Sequence, residues 1–356
     1  MSTRRAAALI FAAAALALCQ DEVGSARVKI DALPPLPGGT YSVAYGICAS
    51  GRVAGASQMP DGRFHATAWL GREAQDLGTL PGGTDSFGRA VLGPQVVGES
   101  LTDAGSGRLF NHAFIHAEET MLDLAVLSGA SSSTARSLAG TTLIAGTSDT
   151  PEGLLRGVRW KGLRGPNATR DDADYSLAFG INTGGTMAGR YSTGEEKDGT
   201  VRFAPARFQG SRLLPLRGLR GSKFATAYAI NTRGVAVGES ETGKTDDLGF
   251  RTRRAVAWRS SRKNARPTAL KSLPGEAVSC AYGIDPAGKI VGYSATAGGE
   301  LRATLWRGNK VIDLNTLLPK GSGWNLQIAY GINAANQVCG QGRLNGQPRA
   351  FRLRLP

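Results

Sequence analysis

The chain has little of the side-chain chemistry on which most hydrolases and metal sites depend. Its 356 residues include three histidines and four cysteines. No serine occupies the Gly-x-Ser-x-Gly turn that presents the nucleophile of many hydrolases. The cysteines lack the short paired spacing that is typical of zinc ligands. The sequence therefore predicts no catalytic serine, no metal and no cofactor.

Long apolar runs are scarce as well. After residue 26, no segment approaches the ~20 apolar residues that a membrane-spanning helix requires. The first residues are typical of an export signal, because Arg4 and Arg5 precede an apolar run from Ala6 to Leu18 and small residues follow at 24–26. We predict a signal peptide over residues 1–26 and a soluble mature chain that is periplasmic or extracellular.

The cysteines and the export route leave alternatives open. Cys19 lies within the signal segment, but Leu18 precedes it where a lipoprotein site carries a small residue, and the paired arginines also fit twin-arginine export. Cleavage would leave Cys48, Cys280 and Cys339, an odd number in an oxidising compartment. At most one disulfide can form within the chain, and we expect three buried thiols.

Acidic residues are the minority charge. Lysine and arginine number 42 against 28 aspartates and glutamates, which gives a net charge of +14. Removing residues 1–26 takes away two charges of each sign and leaves this value unchanged. Such an excess favours acidic partners, namely anionic polysaccharide, lipid headgroups or nucleic acid, through long-range attraction. The alternative is that the arginines are scattered over solvated faces.

One short phrase recurs seven times along the chain, most clearly as Tyr282–Gly292 and Tyr330–Gly340. The apolar anchors of the seven copies are Ile47, Val91, Leu138, Ile181, Ile230, Ile284 and Ile332, at intervals of 44, 47, 43, 49, 54 and 48 residues. Periods of this size indicate a repeat architecture.

Each copy contains four short runs of β type, here called a to d. Run a carries the anchor, and an Asn-x-x-Gly type of turn leads to run b, as in Asn231–Gly234. Run b contains a glycine seven or eight residues after the anchor, at 55, 98, 146, 189, 238, 292 and 340. So regular an offset predicts that backbone approaches backbone closely at this glycine.

Runs c and d complete each copy. Run c alternates strictly, as in His65–Trp69 and Arg302–Trp306, and run d is of the Asp-Leu type, as in Asp76–Leu80. The third copy is degenerate at this point, because residues 167–174 offer no comparable strand. Helical periodicity is absent after the signal segment, so the strands predict an all-β fold.

Seven four-stranded units favour a seven-bladed β-propeller, with residues 27–356 forming one domain. The mature chain begins with a d-type run, Val28–Leu33, and ends with a c-type run, Arg349–Leu355. Pairing these two runs would complete the last blade and remove exposed sheet edges. An open β-solenoid is the alternative, although a four-strand period is long for one coil.

The motifs also resemble those of a known family. His112-Ala113-Phe114, the run Asp76–Gly83 and the Tyr-Gly-Ile-Asn type of phrase are similar to those of the HAF-repeat family of extracellular bacterial proteins. The resemblance covers the mature chain. It implies secretion and a repeat fold, and it carries no established reaction or ligand.

The lengths of the connections indicate the binding face. In a propeller, the b-to-c and d-to-a connections share one face, here called the b–c face. The a-to-b turns are uniformly tight, whereas the b-to-c segments lengthen to Leu101–Asn111, Thr193–Phe203 and Glu241–Arg253 in the second, fourth and fifth copies. We predict that ligands bind on the b–c face.

The first residue of run c is basic in six of the seven copies. These positions are His65, His112, Arg156, Ala204, Arg254, Arg302 and Arg349. They would form a ring of donors for an anionic polymer. The structural alternative, which we favour, is that they stack on aromatic rings or bond carbonyls of the next blade.

Two further features are candidates. Trp324 falls outside the repeat phase, in the last d-to-a loop on the b–c face, where it could stack on a sugar ring or pack half-buried. Aspartates cluster at 171, 172 and 174 and again at 246 and 247, where a carboxylate pair is conceivable but solvated loop charge is the ordinary explanation.

The sequence thus leaves three hypotheses. We favour a secreted, monomeric, non-catalytic binding propeller for an anionic glycan, an envelope component or a protein partner, with nucleic acid disfavoured. The second is a polysaccharide hydrolase or lyase that uses loop carboxylates. The third is a purely structural surface protein.

Overall fold

A computed structural model describes residues 28–356 apart from 104–106, 141, 170–172, 198, 246–248 and 250. The predicted signal peptide, Cys19 and the four aspartates at 171, 172, 246 and 247 lie outside the described residues. The fold is a seven-bladed β-propeller of four-stranded antiparallel sheets, as the repeat predicts. No helix in the described part of the chain has the length and apolar character needed to span a bilayer.

Runs a and b form the two strands of each blade nearest the axis. The innermost strands are β2 (Ser42–Ile47), β6 (Asp85–Leu92), β10 (Ser133–Ala139), β14 (Ser176–Ile181), β18 (Ala225–Ile230), β22 (Glu276–Ile284) and β26 (Trp324–Ile332). The second strands are β3 (Val53–Gln58), β7 (Gln95–Thr102), β11 (Leu143–Asp149), β15 (Thr186–Glu195), β19 (Ala236–Thr245), β23 (Ile290–Thr296) and β27 (Gln337–Leu344). Neighbouring innermost strands contact one another around the ring, including β2 with β26.

Runs c and d form the outer half of each blade. The third strands are β4 (Phe64–Leu70), β8 (Phe110–Ala117), β12 (Leu155–Lys161), β16 (Val201–Gln209), β20 (Arg251–Trp258), β24 (Leu301–Arg307) and β28 (Gln347–Arg354). The outermost strands of the first six blades are β5 (Glu73–Asp76), β9 (Thr120–Asp123), β13 (Arg164–Ala168), β17 (Arg212–Pro215), β21 (Thr268–Ala269) and β25 (Lys310–Asp313). The short 3-10 helix Leu314–Leu317 follows β25.

In the seventh blade the outermost strand is β1 (Lys29–Leu33), which runs antiparallel to β28. Lys29 lies opposite Arg354 and Leu33 opposite Ala350. The Asp31 carboxylate accepts a hydrogen bond from Arg352 at 2.9 Å, and Leu33 is fully buried.

The third blade has an outer strand although its fourth run looked degenerate. Residues 167–174 were expected to offer no comparable strand, and β13 is formed mainly by the residues before them, Arg164–Ala168. It pairs with β12 through Ala168 opposite Val158 and Asn167 opposite Arg159. None of the side chains of β13 is buried. The strand therefore needs no Asp-Leu motif, and little apolar patterning marks it in the sequence.

The a-to-b turns link the first two strands of each blade, and they also form hydrogen bonds to the next blade. Gly51, Gly185, Gly234, Gly288 and Asn336 have positive φ, as the turn motif predicts. The Asn231 side chain accepts backbone N–H groups within its own turn, at 3.0 Å from Val235. Its Nδ2 donates to the Asp285 carbonyl of the next blade at 3.1 Å. The Asn231 amide therefore shapes its own turn and bonds the neighbouring blade at the same time.

A β-bulge interrupts every innermost strand one residue after the position that pairs with the run-b glycine. The bulged residues are Tyr45, Arg89, Arg136, Phe179, Tyr228, Tyr282 and Tyr330. At the seven paired glycines, a Cβ atom would lie 1.8–2.0 Å from a carbonyl oxygen of the innermost strand. This confirms the predicted close approach. Because a bulge re-aims side chains, it can turn these seven toward the axis.

The hydrophobic core consists of layers between neighbouring blades. The run-c tryptophans Trp69, Trp160, Trp258 and Trp306 are at most 2% exposed. Each donates its indole N–H to a carbonyl that lies 35 or 41 residues earlier in the chain, as Trp258 does to Arg217 at 2.8 Å. The thiols of Cys48, Cys280 and Cys339 are buried and unpaired, as expected.

Candidate functional site

The basic residues predicted to form a ring each lie in a different blade, near the start of the third strand. None of them lines the cavity at the propeller axis, which is bounded by residues of the innermost strands such as Tyr45 and Tyr228. They are half-buried, and most are engaged by the protein itself. Whether they bind a ligand stays a prediction.

Four of these side chains have partners among the described residues. The Nδ1 atoms of His65 and His112 lie 3.0 and 2.7 Å from the carboxylates of Asp76 and Asp123. Arg156 donates to the carbonyls of Ala173 and Asp174, in the connection to the next blade. Arg302 lies 3.2 Å from Glu300 and 3.8 Å from Glu276.

Arg254 and Arg349 have no hydrogen-bond or ion-pair partner in the part of the chain that the structure describes. Burial lowers the pKa of the Arg349 guanidinium. The bonds of Arg156 are those that the structural alternative anticipates, since they lead toward the next blade.

Trp324 is the first residue of β26 rather than part of the preceding loop. Its ring is half-buried and packs edge-on against Phe351, with 6.1 Å between the ring centroids. The extra strand length arises because β26 and β27 remain paired out to Trp324 opposite Leu344.

The described long connections bring charged residues together between the fourth and fifth blades. A cavity of about 220 Å³ lies there on the b–c face, and we call it the 4/5 groove. Its lining comprises Glu196, Thr200, Val201, Arg202, Lys223, Phe224, Glu241, Arg251 and Arg253. Two of the three lengthened b-to-c segments contribute to it, those of the fourth and fifth copies.

Both carboxylates of the groove are already engaged. Glu196 lies 2.6 Å from the Lys223 ammonium. Glu241 is only 5% exposed, and it accepts the backbone N–H groups of Lys223 and Phe224 at 3.0 and 3.1 Å. Arg251 approaches the same carboxylate at 3.6 Å. The two glutamates therefore hold the groove in shape.

The wall of the groove stacks arginine on phenylalanine. The Arg253 guanidinium lies 4.6 Å from the Phe224 ring centroid. Its Nη1 atom is 3.5 Å from buried Glu239, which also accepts a hydrogen bond from the Tyr228 hydroxyl at 2.9 Å. Thus Glu239 offsets the charge of Arg253.

Arg190 lies behind this wall without an ion-pair partner among the described residues, although the charge of Glu239 acts on it. Its guanidinium is 4.3 Å from the Phe203 ring centroid and 5.2 Å from that of Phe224. Its Nε atom is buried and has no hydrogen-bond partner. Burial lowers the pKa of this guanidinium, and the charge of Arg253 lowers it further. A desolvated cation of this kind is stabilised by a nearby anion.

Among the residues that the structure describes, the groove therefore carries an excess of positive charge. Its four cationic side chains and Arg190 face three carboxylates, those of Glu196, Glu239 and Glu241. Arg202 is exposed and its guanidinium has no partner among the described residues. Such an arrangement can bind carboxylate, sulfate or phosphate groups, with Phe224 available to pack against a ring.

Sequence reasoning identified the loops of this site but not its residues. The signal was the length of the two b-to-c segments, together with the density of arginine in 251–254. Arg190 and Phe224 carried no signal, because each belongs to a different run and only the fold brings them together.

Side chains that could bind a metal ion do not cluster in the described residues. No group of three or more histidine, cysteine, aspartate or glutamate side chains that could hold a metal ion occurs among them. His116 replaces the run-c tryptophan in the second blade and is buried, and burial lowers the pKa of its ring.

Neither a protein-family model nor a curated protein matches the chain. Among solved structures, a puromycin-hydrolysing peptidase from Mycobacterium tuberculosis is similar, with a TM-score of 0.57 and 13% identity over 88% of this chain. The chain spans about half of that peptidase, 51% of its length.

This chain covers most of the length of two other similar structures. The β-propeller domain of the trilobed protease from Pyrococcus furiosus has a TM-score of 0.49 and 9% identity, over 88% of this chain and 95% of that one. A lectin from Aleuria aurantia in complex with Fucα1-6GlcNAc has a TM-score of 0.42 and 12% identity, over 79% and 98%. At these identities the similarities bear on the fold alone.

Proposed function

We propose that the protein is an exported binding propeller, without catalysis of its own, that holds an anionic glycan in the 4/5 groove. One observation carries this proposal, the excess of cationic side chains over carboxylates in a groove on the b–c face. The resemblance to HAF-repeat proteins and the signal-like first residues support export.

Polysaccharide is the anionic class that the groove suits best. The Phe224 ring centroid lies 5.2 Å from the Arg190 guanidinium and 4.6 Å from that of Arg253, so a sugar ring against the exposed part of Phe224 would have its acidic substituents near arginine. The lining mixes arginine with lysine and with engaged carboxylates, which favours spaced charges over a continuous phosphate backbone.

The enzymatic alternative has less support. A glycosidase needs two carboxyl groups free to act on the scissile bond. In the 4/5 groove, Glu196 is bound by Lys223 and Glu241 is held by two backbone N–H groups and Arg251. Both carboxylates already serve the protein, which is why we propose binding rather than hydrolysis.

Retention on immobilised polygalacturonate tests the proposal. The double variant Arg202→Gln/Arg251→Gln removes two exposed charges from the groove. We expect Kd to rise about tenfold, or ~1.4 kcal/mol, and wild-type retention to fall as salt is raised. The matched control Arg307→Gln/Arg354→Gln removes two exposed charges from the opposite ends of third strands. It should bind like the wild type.

Equal losses in the two double variants would show that net charge alone drives binding and would refute the groove. Retention on neutral dextran equal to that on polygalacturonate would refute anion recognition. Release of shortened sugars from either polymer would establish the enzymatic alternative.

A further inference from the structure

The residues at the propeller axis form a second cavity, separate from the 4/5 groove. The cavity has a volume of about 280 Å³. Its lining comprises the bulged residues of the first six blades and the two positions after the bulge in all seven. Since those positions lead to the a-to-b turns, the cavity extends toward the face opposite the groove.

One side of this cavity is aromatic. The bulged residues Phe179, Tyr228, Tyr282, Tyr330 and Tyr45 follow one another around the axis, with centroid separations of 5.2 or 5.3 Å. Tyr330 belongs to this row of rings but, unlike the other four, does not line the cavity. Burial raises the pKa of Tyr228, Tyr282 and Tyr330, so their hydroxyls stay neutral. Their ring faces and hydroxyl groups provide a wall for a flat or cyclic ligand.

The other side carries two arginines that share one carboxylate. Arg89 donates to Oε1 of buried Glu99 from Nε at 2.8 Å and from Nη2 at shorter range. Arg136 approaches the same oxygen only at 3.8 Å. Oε2 of Glu99 is buried without a partner. The three side chains therefore have a net charge of +1 beside the cavity.

The contrast with two other arginines shows that hydrogen bonds within the protein do not account for Arg136, whose side chain is 34% exposed. Arg207 donates three hydrogen bonds of 2.6–2.9 Å to carbonyl oxygens. Arg352 bonds the Asp31 carboxylate and the Gly51 carbonyl, both at 2.9 Å. Arg136 has no bond of this length among the described residues, although burial lowers the pKa of its guanidinium. An anion in the cavity would supply the missing acceptor.

We propose that the axial cavity binds a small cyclic carboxylic acid, with its carboxylate on Arg136 and its ring against the tyrosine wall. The volume lies below the ~300–1,000 Å³ typical of sites for drug-sized molecules, so it suits a single ring. The ring is that of a sugar acid or of an aromatic acid, which share this chemistry. The site is independent of the 4/5 groove.

Calorimetric titration of the full-length mature protein distinguishes the two sources. Galacturonate and benzoate are the probes, and galactose and benzamide are their uncharged counterparts. We expect one of the two acids to bind at least about tenfold more tightly than its counterpart. Arg136→Gln should remove that preference, whereas Arg136→Lys should keep part of it because the charge remains. The preferred acid identifies the source.

Separate outcomes would refute the two proposals. An unchanged Kd in Arg136→Gln, or neutral compounds that bind as tightly as both acids, would overturn the axial site. If Arg136→Gln does not fold, the comparison of acid with counterpart in the wild type decides the matter alone. The variant Arg202→Gln/Arg251→Gln should leave the Kd of the small acid unchanged. Polygalacturonate binding can therefore fail without affecting the axial site.

Discussion

The α-carbon of Gly292 packs against the carbonyl oxygen of Cys280, so closely that a Cβ atom would lie 1.9 Å from that oxygen. Gly292 pairs with Ala281, the residue before the bulge at Tyr282. The same relationship recurs in all seven blades. A repeated glycine in the second strand thus accompanies the bulge that places each side chain at the axis.

Replacing this glycine should be costly. We expect Gly292→Ala to lower the free energy of unfolding by about 3 kcal/mol, because the methyl group would overlap a backbone atom that cannot move without disturbing the bulge. Urea denaturation measures the change. Gly165→Ala is the matched control, since no atom lies within 4 Å of a Cβ built there. It should change stability by less than ~0.5 kcal/mol, and equal effects would contradict the account.

The ion pair between Asp31 and Arg352 provides a test of whether β1 and β28, the first and last strands, pair in solution. Burial of the Asp31 carboxyl opposes ionisation, but the hydrogen bond and charge of Arg352 outweigh it and lower its pKa. A double-mutant cycle with Asp31→Ala and Arg352→Ala should give a coupling energy of about 1 kcal/mol.

This coupling should depend on pH in one direction. A lowered pKa in the folded protein means that the stabilisation is present above the unfolded value, ~3.9, and is lost as the pH falls through the folded value. Additive single variants at about pH 7 would show that the ends do not meet.

The His112–Asp123 pair should stabilise the protein in acid. The hydrogen bond that the His112 ring donates to the Asp123 carboxylate raises the pKa of the ring above its usual value. Stabilisation is therefore complete below the unfolded value of ~6.5 and is lost as the pH rises through the folded value. We expect His112→Gln to lower the unfolding free energy more at about pH 5.5 than at about pH 8.5.

The control for this prediction removes the partner. In an Asp123→Asn background, the effect of His112→Gln should no longer depend on pH over this range. A constant difference between wild type and His112→Gln at both pH values would rule the interaction out as a source of stability.

The repeat made the fold predictable because each element has its own local cause. The anchors mark the end of each innermost strand before its a-to-b turn. The turn residues such as Gly234 and Asn336 adopt the positive φ that their types favour. The alternation in run c marks strands whose tryptophans are buried between blades. These signals are short-range, so a single sequence contains them.

The sites were less predictable because they depend on contacts between blades. The Tyr-Gly-Ile phrase was visible at three anchors and Tyr-Ala-Ile at a fourth. Simple alternation, however, does not reveal that a bulge follows the paired residue. Arg89 and Arg136 occupy the bulge position in the second and third blades. Both approach Glu99, which lies on β7, the strand next to that of Arg89. Nothing local marks such a group as a charged cluster.

The central claim, that the 4/5 groove holds an anionic glycan, is tested most directly by hydrogen exchange with and without a galacturonate oligomer. We predict slower exchange at residues 194–197, 199–203, 220–225, 241–245 and 251–254, which surround the groove, and unchanged exchange at the a-to-b turns. Protection at the a-to-b turns alone, or no protection in a complex shown to form, would contradict the claim.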